Sequence, residues 1–242
     1  MNIPANGKIV VIDDNVEKEA LPLLKALAKR GLASSFYTGE RRDLPEKPLH
    51  GIRLLFLDLK LKGMDFINDT EQVINALKPR LDRIIGPDNG PYILLGWTQH
   101  PRHLLRLSAS LNPPPTLFLD MEKASCMKDG VCDIEIVSKA LTKKLKKIGA
   151  FRLLFLWENL VLESASATVN DFRLLLGNVA DQNMALKKLL YGLAKAGLDK
   201  QIKGKTTAEL IANALLTANG PFLDRLEMNI GKLDNYAGFG IQ

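Results

Sequence analysis

The residues with the clearest chemical potential are acids placed directly after apolar runs. Asp13 and Asp14 follow Lys8-Ile9-Val10-Val11-Ile12, and Asp58 follows Ile52-Arg53-Leu54-Leu55-Phe56-Leu57. A carboxylate at the end of a buried run costs stability unless it is paired or used. Thr98 ends a third run, Tyr92-Ile93-Leu94-Leu95-Gly96-Trp97, and Lys123 lies shortly beyond a fourth, Thr116-Leu117-Phe118-Leu119. Three carboxylates converging at one edge repel one another unless a hard cation neutralises them. Mg²⁺ does so through octahedral oxygen ligands, keeping several waters and accepting a phosphate oxygen. A hydroxyl and an ammonium nearby supply the donors that phosphoryl oxygens require. The set therefore suits phosphoryl transfer to a carboxylate. Plainer readings exist for single members: an Asp-Asp pair after a strand can be a turn and helix cap, and Thr98 can cap a helix entering at Pro101.

For these side chains to meet, the apolar runs must be neighbouring strands. Continuous apolar runs imply burial on both faces, hence a parallel sheet covered by helices. Residues 16–30 carry helical apolar spacing through Leu21, Leu24 and Leu27, closed by Gly31, and a weaker strand follows near Ala33–Tyr37. Further helices are expected near 70–84, 102–109 and 133–147. The alternation of strand and helix predicts a doubly wound α/β domain with five parallel strands in the order 2-1-3-4-5, whose chemistry lies beyond the carboxyl ends of the strands. After Gly149 the strand signal vanishes. Residues 150–164, 170–196, 206–218 and 221–233 read as helices, with Leu186, Leu189, Leu190 and Leu193 the clearest stripe. The expected division is 1–148 for the sheet domain and 149–242 for an all-α region.

Composition narrows the class. The chain has 242 residues, 46% hydrophobic and 25% charged, which excludes disordered and collagenous chains. No apolar run reaches the roughly 18–20 residues that cross a bilayer, so no membrane association is expected. Without a leader-like start, and with two cysteines, the expectation is a cytoplasmic protein without a disulfide framework. The net charge of +6 is concentrated in Lys139-Ala140-Leu141-Thr142-Lys143-Lys144-Leu145-Lys146-Lys147, which fits a helix with a solvated basic face; nucleic-acid binding is not expected. The glycines form no phosphate-binding or dinucleotide fingerprint. Cys126 and Cys132 read as idle buried thiols, His100 and His103 as a loop pair without ligand geometry, and Trp157 as core or interface.

The ordered motifs resemble the receiver domains of two-component response regulators over about residues 8–148. Val11-Ile12-Asp13-Asp14-Asn15 is similar to the acidic pair after the first strand. Leu55-Phe56-Leu57-Asp58-Leu59, with Gly63-Met64-Asp65 behind it, is similar to the phosphoacceptor strand and loop, and Leu94-Leu95-Gly96-Trp97-Thr98 to the strand ending in the switch hydroxyl. The resemblance implies a flavodoxin-like fold, Asp58 as phosphoacceptor, and Mg²⁺ held by Asp13, Asp14, Asp58 and the Lys60 carbonyl. It implies Thr98 and Lys123 as phosphoryl-binding groups. The chain also departs from the pattern. Lys123 comes late after the fifth strand and precedes no proline, and Pro45 and Pro48 stand where a second helix is usual. The gap from Asp58 to Thr98 is long, and Gln99 replaces a small residue. These departures mark a divergent branch. Trp157-Glu158-Asn159 is similar to a divergent bacterial receiver family with a helical extension, found in phage-defence systems.

By this resemblance the partners would be a histidine kinase or phosphorelay protein as donor and an output partner protein or a homodimer as target. The alternatives are an unphosphorylated pseudo-receiver scaffold, which the position of Lys123 favours, and an aspartyl phosphatase, against which Asp58-Leu59-Lys60 lacks a second acid.

Overall fold

In the computed structural model, residues 8–64, 69–98, 101–146, 148–198 and 203–232 are described. The expectations for Asp65, Gln99, His100 and Lys147 lie outside these residues. The strands β1 (Lys8–Ile12), β2 (Ser34–Tyr37), β3 (Ile52–Leu57), β4 (Ile93–Trp97) and β5 (Leu117–Met121) form one parallel sheet in the order β2-β1-β3-β4-β5. This is the doubly wound, flavodoxin-like arrangement expected from the sequence.

The period-2 alternation of the strands sorts their side chains into two cores. On one face Ile9, Val11, Leu54, Phe56, Leu95 and Trp97 pack with α1 (Leu21–Lys29) and α5 (Ile134–Leu145) through Leu23, Leu27, Val137 and Leu141. On the other, Val10, Ile12, Leu55, Leu57 and Leu94 pack with α2 (Thr70–Ile84) and α3 (Leu104–Ser110) through Val73, Leu77, Leu81, Leu104 and Leu107. Helix α2 starts at Asp69, whose carboxylate accepts from the amides of Glu71 and Gln72. Edge strand β5 departs from the expected two-sided burial: Leu119 and Met121 point into the core, whereas Phe118 and Asp120 are exposed.

Two connections differ from a simple strand–helix alternation. Between β2 and β3 only a 3₁₀ turn, Arg41–Asp43, stands in place of a helix, as the two prolines foretell. Arg80 and Arg83 of α2 tie this loop down through the carbonyls of Gly39, Arg41 and Pro45. Between β5 and α5 the chain inserts a one-turn helix α4 (Lys123–Cys126) and a hairpin of β6 (Met127–Lys128) and β7 (Val131–Cys132). Asp129 and Gly130 both take positive φ at the hairpin tip, +50° and +73°. An Asp-Gly pair favours such a two-residue turn, and this hairpin was not among the elements expected from the sequence.

The described remainder is helical, as expected. The expected helices 150–164 and 170–196 are divided differently: α6 (Gly149–Leu176) runs through the first and into the second, which breaks at 177–181 before α7 (Gln182–Gly197), and α8 (Thr207–Thr217) and α9 (Asn219–Gly231) follow. The expected boundary at residues 148 and 149 coincides with the start of α6, while the chain divides into compact units between Leu156 and Trp157. Phe155 belongs to the core of the first unit, but Phe151, Leu154 and Trp157 are exposed. In the second unit the helices meet at small buried residues, Ser164, Thr168, Ala194 and Ala214, and Asn229 donates to the Ser164 hydroxyl. Of the expected leucine stripe, Leu186 is exposed and Leu189, Leu190 and Leu193 are half-buried. No described helix is long and apolar enough to cross a membrane.

Candidate functional site

The carboxyl ends of β1, β3 and β4 meet in a cleft of about 290 Å³ lined by Asp14, Asn15, Glu19, Asp58, Lys60, Thr98 and Lys123. Its position follows from register. The Asp13 amide still donates to the Tyr37 carbonyl and the Asp58 amide to that of Ile12, so both acids stand at the last rung of the ladder. The Thr98 amide donates to the Met121 carbonyl, which fixes Thr98 at the corresponding point of β4. Thr98, Asp13 and Asp58 are all buried.

Lys123 joins these groups. Its Nζ donates to Asp58 Oδ2 at 2.7 Å and Asp13 Oδ2 at 3.0 Å, and it also pairs with Glu19. The remaining carboxylate oxygens are held by backbone: the Asn15 amide donates to Asp13 Oδ1 at 2.9 Å and the Lys60 amide to Asp58 Oδ1 at 3.0 Å. Lys123 is not late after the strand as the sequence suggested: β5 runs past the apolar run to Met121, so Lys123 opens α4 directly beyond the strand end.

Glu19 was not legible from motif spacing. It arrives through a π-helical turn, Val16–Ala20, in which the Ala20 amide bonds to the Asn15 carbonyl and the Leu21 amide to that of Val16. Each bond spans five residues instead of four, a widening that recurs at functional sites. The widened turn sets Glu19 over the strand ends. Asp13, Glu19 and Asp58 consequently offer carboxylate oxygens within 4.8 Å of one another, the group among the described residues that could hold a metal ion. Asp14 and Lys60 line the same cleft, Asp14 half-buried and Lys60 exposed, but Asp14 is outside that tight set.

Burial raises the Asp13 pKa to about 6, against the opposing attraction of Lys123. Asp58 is likewise pushed up by burial, with Lys123 and the Lys60 amide opposing. Burial would lower Lys123, yet the charges of Asp58 and Asp13 prevail and hold it above the ordinary lysine value. Three carboxylates face one ammonium, an excess of acid that a divalent cation would balance.

The other sequence candidates fall elsewhere. His103 is buried, with Nδ1 at 2.9 Å from the Thr70 hydroxyl, and no second histidine is beside it among the described residues. Cys126 and Cys132 are buried but not isolated, because the hairpin brings them together. No protein-family model matches the chain, and no curated protein matches it.

Proposed function

We propose that the protein is a phosphoacceptor signalling module of the receiver type, in which Asp58 takes a phosphoryl group with Mg²⁺ as cofactor. The observation that carries this reading is the 2.7 Å approach of Lys123 Nζ to Asp58 Oδ2, in a cleft that also holds Thr98 and the acids after β1. An Asp58 oxygen attacks the phosphorus of an acyl phosphate or phosphohistidine, the phosphorus–leaving-group bond breaks, and the donor departs with its electron pair. Asp13, Asp14, Asp58 and the Lys60 carbonyl are the proposed Mg²⁺ ligands, with Glu19 added by its place in the cluster. Held by these residues, Mg²⁺ would supply charge neutralisation for the transferring group. Thr98 and Lys123 supply donors to the phosphoryl oxygens, and the new dianion biases the face made by β4, β5 and α5.

On this reading the protein is a switch with no turnover of its own. A histidine kinase or phosphorelay protein is the donor, and an output partner protein or a second copy reads the switch, in a bacterial stress or phage-defence setting. A second reading, an unphosphorylated scaffold, draws support from the 7% exposure of Asp58 and from the ammonium already seated among the acids. Beryllium trifluoride, a stable mimic of an aspartyl phosphate, distinguishes them. The phosphoacceptor reading expects binding that requires Mg²⁺ and is lost in Asp58→Asn. Absence of binding to the folded wild type favours the scaffold.

A further inference from the structure

The thiols of Cys126 and Cys132 belong to no part of the acidic cleft. Cys126 ends α4, Cys132 ends β7, and the Asp129-Gly130 turn folds the segment between them back on itself so that Met127 pairs with Cys132. The Asp133 amide donates to the Cys126 carbonyl at 2.7 Å, closing the hairpin at the level of the two cysteines. Both residues enter the same hydrophobic core and both line one groove of about 710 Å³ along the hairpin and the start of α5. The Cys126 thiol also lies 3.5 Å from the carbonyl of Lys123.

We propose that Cys126 and Cys132 form a redox-active dithiol that hydroperoxides convert to an intramolecular disulfide beneath the turn carrying Lys123. This inference is independent of the phosphoacceptor reading. Contact with Cys132 draws the Cys126 thiol below its ordinary value, while contact with Cys126 and burial raise Cys132. Cys126 is therefore the thiol that ionises first and attacks. Its sulfur takes the distal oxygen of the hydroperoxide, the O–O bond breaks, and the alcohol or water fragment leaves after taking up a proton. Cys126 is then a sulfenic acid. The Cys132 sulfur, losing its proton, attacks the Cys126 sulfur; the S–S bond forms, the S–O bond breaks, and water leaves. The two sulfurs have together lost two electrons to the peroxide. Peroxide would approach from the groove that both cysteines line.

The test treats the reduced, folded, full-length chain with one equivalent of hydrogen peroxide and follows intact mass, free-thiol titre and a peptide map without reductant. Expected are a mass lower by two hydrogen atoms, loss of both free thiols together, and a Cys126–Cys132 linked peptide. Phenylarsine oxide, which bridges neighbouring thiols, should add once per folded chain and protect both cysteines together. Independent oxidation of each cysteine to sulfinic acid overturns the proposal. So do two thiols that remain free in the folded chain but pair once it is unfolded in urea.

Discussion

Lys123 Nζ stands 2.7 Å from Asp58 Oδ2 although 65 residues separate them, and the same ammonium is 3.0 Å from Asp13. One cation thus satisfies acids from two adjacent strands. Removing it leaves carboxylates buried and uncompensated.

Lys123→Met should cost about 3 kcal/mol of stability at pH 7.5, the scale for breaking a buried pair. The loss should shrink on acidification. The folded pKa of Asp13 already lies above its ordinary value, at about 6. Without the ammonium it rises further, so the folded variant binds protons more tightly than the unfolded chain and regains stability as pH falls through that range. Urea unfolding at pH 7.5 and pH 5.5 checks this; an equal penalty at both values contradicts it.

The sheet was legible because four of its five strands are apolar runs, with β2 marked more weakly, and Asp13, Asp58 and Thr98 follow their strands directly. Glu19 was not, since its place depends on a widened helical turn that leaves the apolar spacing of Leu21, Leu24 and Leu27 unchanged. Lys123 was placed in the site by the resemblance, although the apolar run stops at Leu119 and hides that β5 continues through Asp120 to Met121, which brings Lys123 up to the strand end.

Glu19→Gln should weaken Mg²⁺ binding about tenfold, equivalent to about 1.4 kcal/mol, with little effect on the fold, because Glu19 is half-buried and its partner retains two acids. Isothermal titration compares it with wild type. Unchanged affinity places Glu19 outside the cation site.

Cation binding should also release protons and weaken with acidity. A divalent ion must displace the proton that Asp13 carries below about pH 6, so each pH unit below that value should reduce apparent Mg²⁺ affinity roughly tenfold. Titrations at pH 7, 6 and 5 follow the slope. Affinity independent of pH removes Asp13 from the site.

Gly39→Ala should destabilise the sheet domain by about 2 kcal/mol. Gly39 has φ +82°, and a Cβ there would stand 2.5 Å from Leu61 Cδ1, so backbone strain and overpacking act together. Its carbonyl also accepts from Arg80 Nε at 2.8 Å, anchoring the loop that replaces a helix. A shift in the urea midpoint without a change in slope is the expected signature.

The central claim is that Asp58 accepts a phosphoryl group, and intact-mass spectrometry after incubation with acetyl phosphate tests it most directly. With Mg²⁺ present, the wild type should gain one phosphoryl group. The gain should disappear with chelator and in Asp58→Asn. An unmodified wild type, under conditions that modify a control receiver, or an adduct that persists in Asp58→Asn would contradict the account.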